Sequence, residues 1–290
     1  MKKLALAVTA VAALSGQALA ADMPVKAVRP APVVAAISWT GCYVGGGFGY
    51  GLFDQENTGY FDPPGGVFEN VRVTVAQRTR VTETVDTGGR GWFGTVQGGC
   101  DYQFSTGPWA IVIGGFADYD FADIKGRRTD AFGTPAIIGA AVVPGLPPGV
   151  GNETLTDSWS VGGRIGVLIT PQLLGYFSGG YSEARFGSTT YTNLFGPPFG
   201  ILTGVYSPSS TYKGWFVGAG DEYALSFLPG LFWKTEARAY HYDRQSNPTY
   251  FNNTNIRTGI AYDTEKWVYS VRSELVWRFN FGGGAVVAKY

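Results

Sequence analysis

The sequence predicts an all-β protein, an eight-stranded antiparallel up-and-down transmembrane β-barrel, and three observations support this fold class. The N-terminus has a pattern typical of an export signal. The rest of the chain contains eight segments rich in aromatic, β-branched and glycine residues, and the intervals between them are alternately short and long. The segments are residues 39–53, 90–104, 109–122, 157–169, 173–186, 212–227, 231–243 and 266–281.

The first twenty residues predict a secretory signal peptide. Lys2 and Lys3 precede an apolar stretch, and Ala18-Leu19-Ala20 predicts cleavage near Ala20. Three prolines follow before residue 39 without any periodicity, which is typical of an extended linker. No later stretch is apolar for long enough to form a membrane helix, so strands must carry any membrane insertion. The expected division is a signal peptide at 1–20, a Pro-rich periplasmic linker at 21–38, the barrel at 39–281 and a C-terminal tail at 282–290.

Composition excludes several classes of function. The chain has 22 basic and 22 acidic side chains, so no basic surface indicates nucleic-acid binding. Aromatic and charged residues each make up 15% of the chain, which is atypical of a disordered protein or an ordinary soluble enzyme. With two cysteines and one histidine, we expect no dedicated metal site, and no cofactor is expected either.

The intervals between the segments distinguish a membrane barrel from a soluble sandwich. The tight ones are Ser105–Pro108, Thr170–Gln172 and Leu228–Gly230, and the long ones are 54–89, 123–156, 187–211 and 244–265. Outer-membrane barrels combine short periplasmic turns with longer extracellular loops, whereas a sandwich has no reason to alternate in this way. We therefore expect both termini on the periplasmic side and the four long intervals outside the cell.

Alternation within the segments predicts which side chains face the lumen, because lipid-facing and lumen-facing residues alternate in a barrel strand. The lumen of eight strands is about wide enough for side chains to fill it, so inward charges should pair and plug it. A narrow water or ion path through them is the alternative. The predicted charge network comprises Asp118, Asp120, Arg164, Glu236, Arg238, Arg272, Glu274 and Arg278. Further inward candidates are Asp101, Glu183, Arg185, Glu222 and Lys234.

Two segments fit the alternation less well. Segment 173–186 is ambiguous, and the pattern of 212–227 would place Asp221 in lipid, which predicts a bulge or an interface position there. The tryptophans near strand ends match the aromatic girdles of membrane barrels. They are Trp39, Trp92, Trp109, Trp159, Trp215, Trp233, Trp267 and Trp277.

The two cysteines fall near the periplasmic ends of neighbouring predicted strands, on the same apolar face. Cys42 and Cys100 are therefore placed for a cross-strand disulfide in an oxidising compartment. Two separate lipid-facing thiols fit the pattern equally well, and both alternatives stay open at this point.

The first segment resembles a known family. Its start, WTGCYVGGGFGY from Trp39 to Tyr50, is similar to the W-T-G-F-Y-V-G-G-x-x-G-Y start of porin-like outer-membrane barrels of alphaproteobacteria, the outer-membrane immunogenic protein type. VRSELVWRF, from Val271 to Phe279, resembles the family's R-x-E-L-x-Y-R-F ending. Cys42 departs from the usual Phe.

The resemblance implies location in the outer membrane of a Gram-negative bacterium and insertion by the outer-membrane assembly machinery. It also implies a role in envelope integrity or antigenicity and, in some members, haem binding, but no catalytic residue. The assembly machinery is expected to read an aromatic strand end. Because nine residues follow Phe281, either Phe281 or Tyr290 could carry that signal.

The expected function is a structural and surface-interaction barrel, embedded in outer-membrane lipids, with a plugged lumen. A narrow porin for small solutes or ions is the alternative. Exposed apolar loop residues predict contacts with host or envelope ligands, unless the loops fold over the barrel mouth. The candidate contacts are Tyr191, Phe195, Phe199 and Tyr206. Catalysis is not expected, because His241 is the only histidine and no spacing marks a nucleophile. The sequence does not predict an oligomeric state.

Overall fold

A computed structural model of the chain describes residues 37–62, 78–80, 84–106, 109–130, 136–138, 141–143, 149–193, 202–251 and 255–279. The strands are β1 Gly41–Phe61, β2 Val85–Thr106, β3 Trp109–Asp130, β4 Ala136–Ile138, β5 Ala141–Val143, β6 Gly149–Thr170, β7 Leu173–Phe186, β8 Thr189–Asn193, β9 Leu202–Ser207, β10 Ser210–Ala224, β11 Leu231–Phe251 and β12 Arg257–Phe279. Within these ranges no helix is both long and apolar enough to cross a membrane. The predicted signal peptide, most of the linker, the C-terminal tail, Phe281 and Tyr290 lie outside the described residues.

Eight long strands close into a ring. Each pairs antiparallel with its two neighbours, in the order β1, β2, β3, β6, β7, β10, β11 and β12, and β12 pairs with β1. Long strands that follow one another in the chain are therefore neighbours in the ring. This is the up-and-down connectivity of a closed barrel, and it confirms the predicted fold class.

The strands extend further at one end than the sequence predicts. The predicted loop bounds are wrong, because residues at the margins of each loop belong to paired strands; the sequence predicts these loops at 54–89, 123–156, 187–211 and 244–265. The interval 187–211 also contains β8 and β9. In this region the outward residues are polar: Glu56 is exposed, while Gln55 and Asn57 are buried inside the barrel. The apolar alternation used to recognise strands is lost here, although the backbone pairing continues.

The connections at the opposite end are short. β2 and β3 are separated by two residues, as are β6 and β7, in agreement with the predicted tight turns. The third connection is longer than expected, because β10 ends at Ala224 and β11 begins at Leu231. The backbone N–H of Leu225 donates to the carbonyl of Leu231 at 3.0 Å, and Gly230 has a φ of 90°, a conformation that glycine adopts readily.

The outward face of the ring forms an apolar band bounded by aromatic side chains. The outward tryptophans are Trp92, Trp159, Trp215 and Trp267 towards the end with long connections, and Trp109, Trp233 and Trp277 towards the end with short turns. The prediction that Trp39 belongs to an aromatic girdle is wrong. It precedes β1 and is fully buried, because its ring packs inside the barrel against Phe232, with centroids 5.0 Å apart.

The phase of β7 explains why its segment is ambiguous in the sequence. Tyr176 and Phe186 are buried in the lumen, whereas Phe177 and Tyr181 are exposed on the outer surface. Because both faces carry large aromatic residues, hydropathy does not distinguish inside from outside in this strand.

Two predicted inward charges on β7 face outward instead. Glu183 and Arg185 share the face of the outward aromatic residues, and they lie beyond the apolar band, where a charge can be solvated. Each has an outward partner: Glu183 lies 3.6 Å from Lys213, and Arg185 lies 3.9 Å from Asp157.

The bulge expected near Asp221 is not present, because β10 keeps an unbroken register with β7 and β11 on both sides of this residue. Asp221 is exposed on the outer face, and it accepts a hydrogen bond from the hydroxyl of Thr235 on β11. It lies three residues before the end of the strand, which corresponds to the interface alternative.

Candidate functional site: the filled lumen

The end of the lumen near the short turns is crossed by two arginines and two carboxylates. Arg164 lies 2.5 Å from Asp101 and 2.9 Å from Glu222. Arg278, from the other side, lies 2.7 Å from each of the same two carboxylates. All four side chains are almost completely buried. Like charges in this layer are therefore separated by opposite charges, an arrangement that offsets the cost of burying them.

Trp39 covers this layer at the mouth of the barrel. Its carbonyl accepts a hydrogen bond from Arg278 at 3.2 Å, and its indole N–H donates to the carbonyl of Pro171 at 3.3 Å. Its backbone N–H donates to Gln103 at 3.0 Å. Trp39, two residues before β1, thus lies across this end of the lumen.

The middle of the lumen contains a second, larger layer of charges. Its members are Lys234, Glu236, Glu274, Arg238, Asp118, Arg272 and Asp120. The contacts run across the barrel as well as along it: Arg238 on β11 lies 2.7 Å from Asp118 on β3. Arg272 on β12 lies 3.1 Å from Asp120. Gln97 donates to Glu274 at 2.6 Å and accepts from Lys234 at 2.7 Å, which connects β2 with β12 and β11.

A less polar layer follows in the direction of the long connections. Phe93, Ile124, Leu155 and Val268 are buried there beside the rings of tyrosines from β11. The void between these side chains has a volume of about 10 Å³, no more than one water molecule requires.

A third charge layer lies beyond the apolar band, at the level of the polar outward residues. Glu153 lies 3.0 Å from Lys266 and 3.7 Å from Arg128, and all three are buried. The ammonium group of Lys266 also lies 4.0 Å from the ring centroid of Phe186 and 4.9 Å from that of Tyr212. Aromatic faces attract a cation at such distances, so these rings hold the lysine across the lumen.

The structure brings the predicted network residues together in the lumen. All eight are buried and each forms at least one ion pair with another lumen charge. Asp101, Glu222 and Lys234, predicted as further inward residues, lie in the same layers. Sequence reasoning missed Arg128 and Glu153, because both lie in a predicted loop. On β6 a register shift between Leu155 and Asp157 also reverses the alternation that could have revealed Glu153.

The comparisons with known proteins agree with a location in the outer membrane. No protein-family model matches the chain. The chain is 28% identical over 229 residues to the 31 kDa outer-membrane immunogenic proteins of Brucella melitensis and Brucella suis, covering 78% of this chain and 82% of theirs. This chain is an outer-membrane β-barrel related to the outer-membrane immunogenic proteins.

Solved structures of other outer-membrane proteins resemble this barrel more distantly. Ail of Yersinia pestis has a TM-score of 0.32 and 10% identity over 82% of this chain and 99% of its own. The protease OmpT of Escherichia coli has a TM-score of 0.36 and 9% identity over 82% and 97%. AlkL has a TM-score of 0.36 and 12% identity over 92% and 100%. At these scores the likeness carries no information about activity.

The outer-membrane barrel pairs its two cysteines. Cys42 and Cys100 are direct partners in the register of β1 and β2, and the structure joins them in a disulfide. Both belong to the outward face, close to the end with short turns, as placed from the sequence.

His241 lies at the outer edge of the apolar band. Its ring stacks on Trp215, with centroids 5.5 Å apart, and meets Trp267 edge-on at 4.6 Å. Its Nε2 lies 3.0 Å from Glu265, which also lies 3.1 Å from Arg244. These contacts describe an aromatic and polar cluster at the level of an aromatic girdle.

The candidate loop contacts of the outer-membrane barrel are not all surface residues. Tyr191 is fully buried, and its hydroxyl lies 3.0 Å from that of Ser207, so the prediction that it contacts a ligand is wrong. It points inward because β8 continues the wall of the barrel by pairing with β6. Tyr206 is half-buried and donates to Asn255 at 3.0 Å. Phe195 and Phe199 lie outside the described residues.

Proposed function

We propose that this outer-membrane barrel is a sealed structural protein of the envelope, which presents its extended strands and connections at the cell surface. The filled lumen is the observation that supports this proposal. Oppositely charged side chains from strands that are not neighbours meet inside the barrel in three successive layers, and Trp39 covers one end. In the layer near the short turns, for example, Asp101 on β2 contacts both Arg164 on β6 and Arg278 on β12.

The balance of charges also supports a sealed lumen. Eight buried carboxylates accompany seven buried cations in the described residues, and the remaining carboxylate, Asp263, is paired at 2.5 Å with the half-exposed Arg78. Breaking a buried ion pair by removing one partner costs about 3–5 kcal/mol. A conducting state would have to separate several such pairs at once, so it would be rarely populated.

The second candidate is a narrow porin. The lumen is lined by polar groups over most of its length, and some of them, such as the hydroxyls of Tyr43 and Tyr176, have no hydrogen-bond partner among the described residues. Together with the small void in the middle of the barrel, these groups favour a path for single water molecules or small ions over one for larger solutes.

Solute uptake by liposomes distinguishes the two candidates. The refolded full-length protein should leave the uptake of sugars and the conductance of a planar bilayer at the level of protein-free membranes, while a general porin in the same lipids gives both signals. Stable conductance steps together with uptake that decreases with solute size would contradict the sealed barrel and establish the porin.

We further propose that the surface role lies in the parts beyond the apolar band. The relatives are named as immunogenic outer-membrane proteins. We propose that the extracellular connections of this chain are likewise exposed at the cell surface. Outer-membrane lipids, the assembly machinery and a host or envelope ligand are the proposed partners. No catalytic role is proposed, since the ring of His241 is packed between two tryptophans.

A further inference from the structure

The outward charges beyond the apolar band are not evenly neutralised around the barrel. On the side of β6, β7 and β10, the exposed cations Arg185 and Lys213 each have a carboxylate partner. On the side of β2 and β3, Arg90 and Arg127 are exposed, and neither forms an ion pair with any described residue. This side therefore presents guanidinium groups that are free to bind an external anion.

Arg90 and Arg127 belong to one group of cations. Arg90 is the direct cross-strand partner of Lys125, and Arg127 follows two residues later on the same face of β3. Like charges placed directly opposite one another destabilise a sheet, so the pairing of Arg90 with Lys125 does not contribute to the stability of the fold. Of the three cations, Lys125 has a carboxylate partner, Asp123, at 2.9 Å. The two arginines therefore have no ion-pair partner within the described part of the chain.

These cations surround a groove on the outer surface of about 720 Å³. Three cations and one carboxylate line it: Arg90, Lys125, Arg127 and Asp54, together with Asn152. Gly88 is the cross-strand partner of Asp54, and a Cβ atom on Gly88 would lie 2.9 Å from the Oδ1 atom of that carboxylate, so Asp54 forms the acidic side of the groove. On the side away from Asp54, an anionic group in the groove can be contacted by more than one of the three cations.

The height of the groove identifies the kind of anion. Trp92 lies two residues from Arg90 towards the membrane, is 63% exposed, and marks the outer edge of the apolar band. Phe121 on the neighbouring strand is 60% exposed at the same edge. An apolar surface directly below a basic groove is complementary to a molecule with acyl chains and a phosphorylated headgroup. Because the chain is an outer-membrane barrel, such lipids surround it.

We propose that the groove formed by Arg90, Lys125 and Arg127 binds the phosphate groups of an outer-leaflet lipid, with the acyl chains lying against Trp92 and Phe121. Guanidinium groups bind phosphate oxygens in bidentate geometry, which gives orientation as well as affinity. Such a contact would fix one side of the barrel to its neighbouring lipid. It does not depend on whether the lumen conducts.

Binding of phosphorylated lipid A in detergent micelles tests the proposal. The full-length protein with Arg90→Gln and Arg127→Gln should bind about thirtyfold more weakly than the unaltered protein. A matched control carries Arg185→Gln and Lys213→Gln, which removes the same charge from cations that are already paired. The control should bind within about twofold of the unaltered protein.

A second lipid, a second double variant and free phosphate as a competitor distinguish lipid binding from loss of folding and from binding of free phosphate. Dephosphorylated lipid A should bind the unaltered protein as weakly as phosphorylated lipid A binds the double variant. Arg90→Lys with Arg127→Lys should retain part of the affinity, which distinguishes lost charge from lost folding. Equal binding by the double variant and the control would overturn the proposal. Displacement of the lipid by inorganic phosphate at matched phosphate concentration would also overturn it, in favour of a site for free phosphate.

Discussion

Gly114 on β3 leaves the space into which the carboxylate of Asp101 on β2 projects. The two residues are direct partners in the register, and a Cβ atom on Gly114 would overlap the Oδ1 atom of Asp101. Gly114 is also the direct partner of Arg164 on its other side. The missing side chain therefore allows an acid and a base, two strands apart, to meet inside the barrel.

Gly114→Ala should displace Asp101 from both of its arginine partners. We expect the free energy of unfolding to fall by about 3 kcal/mol, the scale of a broken buried ion pair. Urea unfolding of the refolded barrel in micelles measures this loss. Gly115→Ala is the matched control, because its Cβ would point outward and lie 3.8 Å from the carbonyl oxygen of Gly162 on the neighbouring strand. It should change the stability by less than about 0.5 kcal/mol, and equal losses in both variants would contradict the explanation.

The sequence predicts the fold and most of two charge layers, the one near the short turns and the one in the middle of the lumen. It does so because the two faces of β3, β6 and β12 differ strongly in hydropathy. Arg272 and Glu274, for example, alternate with Val271 and Leu275, which are 62% and 53% exposed. Such contrast exists only where lipid lies outside and a polar lumen lies inside.

Where the two faces of a strand do not differ in hydropathy, the sequence does not predict which side chains point into the lumen. Tyr176 and Phe177 are both aromatic, yet one is buried in the lumen and the other is exposed, so their residue types alone do not reveal their faces. Glu153 lies beyond the apolar band, where the outer face is polar and a register shift interrupts the alternation. The outer charge layer therefore becomes visible only from the pairing of the strands.

Trp39 offers a second test of the closed lumen. Trp39→Ala should lower the free energy of unfolding by about 3–5 kcal/mol, because a buried indole and its hydrogen bonds are removed. Trp109→Ala is the control, since Trp109 is 62% exposed on the outer face near the same end of the barrel. The urea midpoints of the two variants should differ clearly. A loss confined to Trp109→Ala would show that Trp39 does not hold the mouth closed.

The Cys42–Cys100 bond closes a loop of 58 residues, so its removal should free the unfolded chain. In the chain-entropy account, Cys42→Ser with Cys100→Ser should lower the free energy of unfolding by about 2–4 kcal/mol. Reducing agent should then have no further effect on the double variant, whereas it should destabilise the unaltered protein. Peptide masses under non-reducing conditions identify the bond itself. Unlinked peptides from the unaltered protein would contradict the pairing.

The outer charge layer should make stability depend on pH. Burial raises the pKa of Glu153, but Lys266 and Arg128 outweigh it and leave the pKa below the usual value of 4.5. A carboxyl group with a lowered pKa contributes stability above about pH 4.5 and loses it as the pH falls through its folded value. The unfolding free energy of the unaltered protein should therefore decrease in that acidic range.

Glu153→Gln should remove this part of the pH dependence while lowering stability at neutral pH, because Lys266 and Arg128 would then lack their shared carboxylate. The control is Glu56→Gln, a change of the same type at an exposed outward position of β1. Urea unfolding at a series of pH values compares the slopes of the three proteins. Parallel slopes for Glu153→Gln and the unaltered protein would mean that this carboxyl group does not carry the acidic transition.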